Sequence, residues 1–244
     1  MPQFIMIGFH QLSDDDPALT HSPLLQAALL TLQYVHDYGP IGLTKTGAFK
    51  RIFIHWAAEH FDWTGFSRNE LSEVNTVFNE HNFPLLELLH FTLLQMKLAR
   101  HYKGEFRITK RGAALLKSPA ALFTAVIPFF LFEIDHAAYS RFKDGPFGNW
   151  DVWLNVLNIE VEDGASIKQL YEVLYGMAPD DLSGWQEINA FSHCVLEPLC
   201  WAGLLVEVEA EHQRIGESQY FKTPLWSSAL KLETNDILEP AQRH

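Results

Sequence analysis

Hydrophobic and polar positions alternate between helical and strand-like spacing along most of the chain, and the first such blocks predict two helices. Ser22-Pro23 provides an N-cap and a proline suited to the first helical position. Apolar residues at helical spacing predict a helix over 24–37, which stops at Gly39-Pro40. A second helix is predicted to follow Thr46-Gly47 and to run to Phe61. The order of residues 67–70 fits a capping box and predicts a further short helix.

The pattern from residue 82 to residue 116 predicts a helix, a hairpin and another helix. Pro84 opens a helix over 85–98 that is apolar around most of its circumference. Short strands at 99–102 and 106–109 then flank Lys103-Gly104, which predicts a tight β-hairpin turn. The next helix begins at Lys110.

The same order of elements returns in the second half of the chain. Ser166 caps a predicted helix that closes near Gly176, and a longer helix over 185–201 is expected to bend at Pro198. The remaining predicted elements are a strand over 204–209, a turn over 214–217, a strand over 220–223 and a helix beginning at 224.

This order is typical of winged-helix domains, a variant of the helix-turn-helix. The string LARHYKGEFRITKRGAALL, ending at residue 116, resembles the wing and following helix of bacterial winged-helix regulators. The wider segment 41–117 resembles an uncharacterised bacterial domain of plasmid-ORF-3-like proteins, a resemblance that implies no known activity. We therefore expect a mainly α fold with small β wings (α+β), in which an apolar helix joins two tandem winged-helix-like units.

Domain boundaries follow from the same pattern. We expect an N-terminal segment (1–22), a first unit (23–117), a connecting helix (118–149, apolar over 119–143), a second unit (150–232) and a C-terminal tail (233–244). The most apolar stretch, 119–132, is shorter than the ~20 residues that a membrane span needs, and Pro128 interrupts it. Within it, Phe123, Ile127 and Phe130 are candidate contacts of a homo-oligomer, with an internal core as the open alternative.

Composition favours a folded cytoplasmic protein. Hydrophobic residues make up 48% of the 244 residues and charged residues 20%. The first residues lack the basic region of a signal peptide, and two cysteines are too few for a disulfide framework, so we expect reduced thiols and no membrane partner.

Charge is unevenly distributed along the chain. The net charge is −12, but residues 40–117 hold eleven Lys and Arg against seven Asp and Glu, a local charge of +4. Double-stranded DNA is the partner that a basic wing would suit, since Lys and Arg neutralise phosphates. The candidate DNA-binding residues are Lys45, Lys50, Arg51, Lys103, Arg107, Lys110 and Arg111.

The leading interpretation is a bacterial winged-helix protein that binds DNA or regulates transcription through the first wing, and two features weaken it. The helix at 85–98 has no broad polar face with which to read base edges. Burying each of its leucines stabilises packing by ~1.5–3 kcal/mol, which favours a place for this helix in the core. The second hairpin is acidic, with Glu207, Glu209, Glu211 and Glu217 against Arg214. The alternative is a protein–protein interaction or oligomerisation module that binds no DNA.

The sequence predicts no catalytic residue, no metal site and no cofactor. His55 and His60 are five residues apart, which separates them around a helix, whereas the metal-binding helices of zinc proteases place two histidines four apart. His193 and Cys194 are adjacent and would point in different directions on a helix. Neither a nucleophile elbow, a P-loop nor a dinucleotide-binding glycine motif occurs, so an enzyme is the least favoured class.

Overall fold

The fold was analysed in a computed structural model, which describes residues 7–61, 63, 79–139, 145–177, 182–208 and 218–238. The strands are β1 (Gly8–Phe9), β2 (Ile41–Gly42), β3 (Ala99–Tyr102), β4 (Glu105–Ile108), β5 (Ala165–Ser166), β6 (Leu205–Val208), β7 (Gln219–Lys222) and β8 (Leu230–Lys231). The α-helices are α1 (Pro23–Tyr38), α2 (Arg51–His60), α3 (Pro84–Gln95), α4 (Lys110–Leu115), α5 (Pro119–Phe132), α6 (Trp150–Glu160), α7 (Ile167–Tyr175), α8 (Leu182–Phe191), α9 (Glu197–Ala202) and α10 (Pro224–Ala229).

The chain divides into two compact units, one of residues 13–129 and the other of residues 1–12 together with 130–244. We call them the N-unit and the C-unit. Each contains a three-stranded antiparallel sheet, with strand order β2-β4-β3 in the N-unit and β5-β7-β6 in the C-unit. The fold is therefore mainly helical with small antiparallel sheets, as the sequence predicted.

Local signals explain where the helices of the N-unit begin and end. The Ser22 hydroxyl accepts the Leu25 amide at 3.2 Å, and α1 ends at Gly39 with a φ of 90°, so the prediction for this helix is confirmed. The second helix begins at Arg51, later than predicted, because the chain before it pairs as β2 and as a Leu43–Phe49 bridge. The third ends at Gln95 rather than at residue 98, since the chain then turns towards β3 through Lys97, whose φ is 57°.

The core of the N-unit is aliphatic and aromatic. The leucines of α3 supply much of it, with Leu85, Leu86, Leu89 and Leu93 all at most 1% exposed. The apolar circumference of α3 thus packs within its own chain, which agrees with the packing role inferred from the sequence.

The C-unit repeats the order of a helix, a short strand, further helices and a hairpin of two strands. The predicted helix after Ser166 is confirmed, with a capping box to Gln169 and a stop at Gly176. The helix predicted over 185–201 is instead α8 and α9, separated by a π-helical turn over Ser192–Leu196. Pro198 has no amide hydrogen for the regular helical ladder, which accounts for the interruption just before it.

Buried Asn158 organises one side of the C-unit. Its carbonyl oxygen accepts the Trp226 indole N–H at 2.8 Å, and its amide donates to Thr234 and Asn235 at 2.9 and 3.1 Å. Lys222 donates to the Asn158 backbone carbonyl at 2.7 Å and pairs with Glu162 at 2.5 Å. Since each polar group of Asn158 has a partner, this network is a structural feature of the core.

The apolar helix α5 is shorter than predicted, because it ends at Phe132 and not at residue 143. His136 and Asp135 hold the chain after it in a 3-10 turn, through bonds to the Phe130 carbonyl and to the Ala137 amide. The helix start predicted at 67–70 and the turn at 214–217 lie outside the described residues, and the five-part domain division stays a prediction.

Candidate nucleic-acid interface

The hairpin of β3 and β4, residues 99–108, separates its side chains between two faces. Pairing sets Arg100 opposite Arg107 and Tyr102 opposite Glu105, so these four side chains share one face. His101 lies opposite Phe106 on the other face, where Phe106 is fully buried. We call residues 99–108 the basic hairpin, because its outer face carries the cations.

Three cations surround the exposed ring of Tyr102. The Arg100 and Arg107 guanidinium carbons lie 5.4 and 5.6 Å from the ring centroid, and the Lys103 Nζ lies 5.3 Å away. Such contacts hold long side chains in place without consuming their charge. Arg107 also donates to the Glu105 carboxylate at 2.6 and 2.9 Å, so one acid offsets part of the cluster.

The turn of the basic hairpin needs two residues with positive φ. Lys103 and Gly104 have φ values of 51° and 75°, which is the pattern of the tight turns that match strand twist. The Gly104 carbonyl accepts the Leu43 amide at 2.9 Å, so the tip is tied to the segment after β2. Lys103 is therefore presented at a fixed position rather than on a free loop.

Gly112 allows the segment after the basic hairpin to pack closely against Leu98, the residue before β3. The Thr109 hydroxyl accepts the Gly112 amide, and a methyl group at position 112 would lie 2.1 Å from the Leu98 carbonyl oxygen. Only glycine permits this approach of α4 to the residue before β3. Close packing therefore explains why the ITKRGAALL string has glycine at position 112.

The other predicted cations of the N-unit are dispersed. Lys45 is exposed in the turn after β2, and Lys110 is exposed at the start of α4. Arg111 donates to the Met96 carbonyl at 3.1 Å near the end of α3, so its charge is partly engaged. Lys50 and Arg51, at the start of α2, line an open cleft of about 660 Å³ together with Glu80 and Glu87. Among the seven predicted cations, the structure brings only Lys103 and Arg107 together around one ring.

A chain of hydrogen bonds runs under the basic hairpin from Glu80 to His101. The Glu80 carboxylate accepts the Phe49 amide at 2.6 Å and binds His90 Nδ1 at 2.6 Å. His90 Nε2 lies 2.8 Å from His101 Nε2. Glu80 and His90 are 4% and 6% exposed, whereas His101 is exposed at the sheet edge. Phe49 stacks on the His90 ring at 3.9 Å and covers it.

Partial burial, followed by the neighbouring His90, lowers the pKa of His101 from its ordinary value, and the Glu80 carboxylate opposes this shift. His101 therefore contacts a second imidazole, with the Glu80 carboxylate on the far side of that ring, and the two act on its proton affinity in opposite directions.

Sequence reasoning missed Arg100, Tyr102 and the Glu80–His90–His101 chain as site residues. Alternation along the predicted strand could have placed Arg100, Tyr102 and Arg107 on one face, had the register been known. Glu80 and His90 gave no such signal, because the chain between them passes from a 3-10 turn into α3, and only the fold shows that the two side chains meet.

The three candidate oligomer contacts are covered within one chain. Phe123, Ile127 and Phe130 are at most 1% exposed, which is the internal-core alternative that the sequence left open. Self-association of the chain stays a prediction. On the C-unit, β6 exposes Val206, Glu207 and Val208 and carries no basic side chain.

Residues considered for catalysis or metal binding are engaged otherwise. The His60 ring stacks on Trp56 and its Nδ1 bonds to the Trp56 carbonyl at 2.7 Å. Burial raises the pKa of the Cys194 thiol to about 11, which keeps it protonated near neutral pH. Within the described ranges, His, Cys, Asp and Glu form no group of three or more that could hold a metal ion.

Comparisons with known proteins place both units in one family. The y4jL N-terminal domain model matches residues 20–121, and the y4jL C-terminal domain model matches residues 140–224. The uncharacterised protein y4jL of Sinorhizobium fredii (strain NBRC 101917 / NGR234) is 35% identical over 157 residues, which span 63% of this chain and 70% of the relative. The chain belongs to the y4jL family.

Membership of the y4jL family identifies a bacterial two-domain protein and brings no activity with it. No solved structure matches the chain. The resemblance of residues 41–117 to plasmid-ORF-3-like proteins stays a prediction. Of the helices in the part of the chain that the structure describes, none is both long enough and apolar enough to span a membrane.

Proposed function

We propose that the protein binds double-stranded DNA through phosphate contacts made by the basic hairpin of a winged-helix-like N-unit. The observation that carries the proposal is the outer face of this hairpin, where Arg100, Lys103 and Arg107 gather around exposed Tyr102. Cations held in a fixed arrangement lose little conformational entropy when a phosphate binds.

The order of elements supports the winged-helix interpretation. In both units a helix is followed by a short strand, further helices and a two-stranded hairpin, and the short strand pairs with the second hairpin strand. The two units have little sequence in common, yet both have this arrangement. Its recurrence favours a common topology over coincidence.

The exposed side chains of α3, the helix before the basic hairpin, indicate whether the proposed DNA contact reads bases or phosphates. Its exposed side chains are Pro84, Glu87, Phe91 and Gln95, which offer one acid and one aromatic ring but no cation. Of the side-chain types that read base edges in the major groove, α3 exposes Glu87 and Gln95 but no arginine, lysine or asparagine. We therefore infer binding that depends on phosphates and discriminates weakly among sequences.

Salt-titrated binding of a labelled random duplex tests the proposal. Counterion release predicts that log K falls linearly with log salt, with a slope of about −0.9 per phosphate neutralised. Because three cations line the face, the Arg100→Ala, Lys103→Ala, Arg107→Ala triple variant should lose about 2–3 units of that slope.

The matched control is Lys168→Ala, which removes an exposed cation from α7 of the C-unit and should leave the slope unchanged. Absence of binding at low salt, or a triple variant that keeps the wild-type slope, contradicts the proposal. Far-UV circular dichroism of the triple variant establishes that its fold is intact.

A further inference from the structure

The Glu80–His90–His101 chain restricts where its protons can be. An ionised carboxylate only accepts hydrogen bonds, so the His90 Nδ1 that faces Glu80 carries a proton. The 2.8 Å contact between His90 Nε2 and His101 Nε2 then needs one proton between the two nitrogens. If neither nitrogen is protonated, or if both are, the bond is lost.

Two charge states satisfy this requirement. With both imidazoles neutral, His101 donates its Nε2–H to His90 and the three residues together carry the negative charge of Glu80. With one added proton, either ring becomes an imidazolium while the bond persists, and the three residues are neutral overall. A second added proton would set two N–H groups against each other.

We propose that Glu80, His90 and His101 form a one-proton acceptor under the basic hairpin, and that its protonation strengthens phosphate binding by the hairpin's outer face. This inference rests on the proposed DNA binding. The negative charge of the unprotonated state lies beneath the strand that carries Arg100 and Tyr102, and protonation removes it.

Other charges around His101 come from each neighbouring element. Its own strand contributes Arg100, β4 contributes Glu105 and Arg107, and α3 contributes His90. The turn after β2, which approaches His101 at Gly47, carries Lys45. Glu80 also borders the cleft at the start of α2, where Lys50, Arg51, His81 and Glu87 are found. Carboxylate, lysine and arginine side chains ordinarily keep their charge between about pH 5.5 and 8, so imidazoles supply the change in this range.

The sign of the effect follows from linkage. A bound phosphate favours the protonated state, so binding takes up a proton and affinity rises as pH falls. One linked proton limits the rise to about tenfold per pH unit. Since burial and His90 lower the pKa of His101, the rise should extend below its ordinary titration range.

Duplex binding at constant ionic strength, measured from about pH 8 to about pH 5.5, tests the inference on the full chain. Wild type should gain about three- to tenfold more affinity over this range than His101→Gln, whose amide can keep a hydrogen bond to His90 but does not titrate. The matched control His36→Gln removes an exposed imidazole of α1 in the same unit, and should retain the wild-type gain.

The outcomes separate the two proposals. Binding with a gain that His101→Gln diminishes and His36→Gln preserves supports the inference. If wild type binds, but all three proteins show the same pH dependence, the inference is overturned while the proposed function stands. If no salt-dependent binding occurs at any pH, the proposed function fails and the inference falls with it.

Imidazole NMR gives a readout that does not depend on affinity. Ring ¹⁵N shifts of His90 and His101 should change together between about pH 8 and about pH 5.5, as the pair shares one added proton, and duplex should move the midpoint upward. Full, independent protonation of both rings in that range would overturn the one-proton acceptor.

Discussion

Burial holds His136 neutral within the C-unit. Its Nε2 donates to the Phe130 carbonyl at 2.8 Å, and its ring packs edge-on against Phe130. Burial lowers the pKa of His136 to about 4, although the bond to Phe130 and nearby Asp135 oppose this, while His193 adds to it. The folded state therefore binds a proton at this site more weakly than the unfolded chain does.

The pKa of His136 in the folded state lies below its unfolded value of about 6.5. Its full contribution to the free energy of unfolding is therefore present above about pH 6.5. It is lost as pH falls from about 6.5 to about 4, by up to about 1.4 kcal/mol per pH unit. Urea unfolding at several pH values should show this loss in wild type and a smaller one in His136→Gln, whose amide can still donate to Phe130.

An exposed histidine of the same unit provides the comparison for His136. His10→Gln, which replaces an exposed histidine of the C-unit, should follow the wild-type pH dependence. A His136→Gln protein with an unchanged acid slope would mean that the burial of His136 does not govern stability in this range.

At the scale of elements, Gly112 couples α4 to the start of the basic hairpin. Gly112→Ala places a methyl group 2.1 Å from a backbone oxygen, so α4 or the Leu98 segment must shift. We expect a loss of about 2–4 kcal/mol in the free energy of unfolding, well above the cost or gain of an ordinary glycine-to-alanine change. Denaturant unfolding measures it, and Gly145→Ala, with its nearest contact at 3.4 Å, is the control. A loss below 1 kcal/mol would contradict the close-approach argument.

Sequence patterns predicted the elements better than their pairing. Caps at Ser22 and Ser166 and the Lys103-Gly104 turn depend on neighbours in the chain, so local spacing was sufficient to find them. The strands at 41–42 and 165–166 are too short to show alternation, and both pair with distant hairpins. The site was predicted only in part. Lys103 and Arg107 lie in a hairpin that local spacing predicts, whereas His90 and Glu80 meet through tertiary packing.

At the scale of the molecule, two compact units predict two contributions to unfolding. Asn158 lies in the C-unit and satisfies four polar groups there, so Asn158→Ala should lower the stability of that unit by about 2–3 kcal/mol. Calorimetry of the full chain should resolve separate transitions, one lowered by Asn158→Ala and the other by Gly112→Ala.

Asn189→Ala is the matched control for that experiment, because Asn189 makes an exposed bond to the carbonyl of Trp185 within its own helix. If Asn158→Ala and Gly112→Ala shift one and the same transition, the two units unfold as a single cooperative body, and the assignment of separate transitions is wrong.

The pairing of β1 with β8 bears on how the chain is made. Gly8 and Phe9 leave the ribosome before their partners Lys231 and Leu230 are translated, because most of the described chain lies between the two strands. At bacterial elongation rates the interval is roughly ten to forty seconds, during which residues 13–129 are already available to fold. The first strand must therefore remain unpaired on the nascent chain while the segment that follows it is completed. A chaperone that binds short apolar strands has its opportunity in that interval, and a rare codon placed after residue 129 would lengthen it.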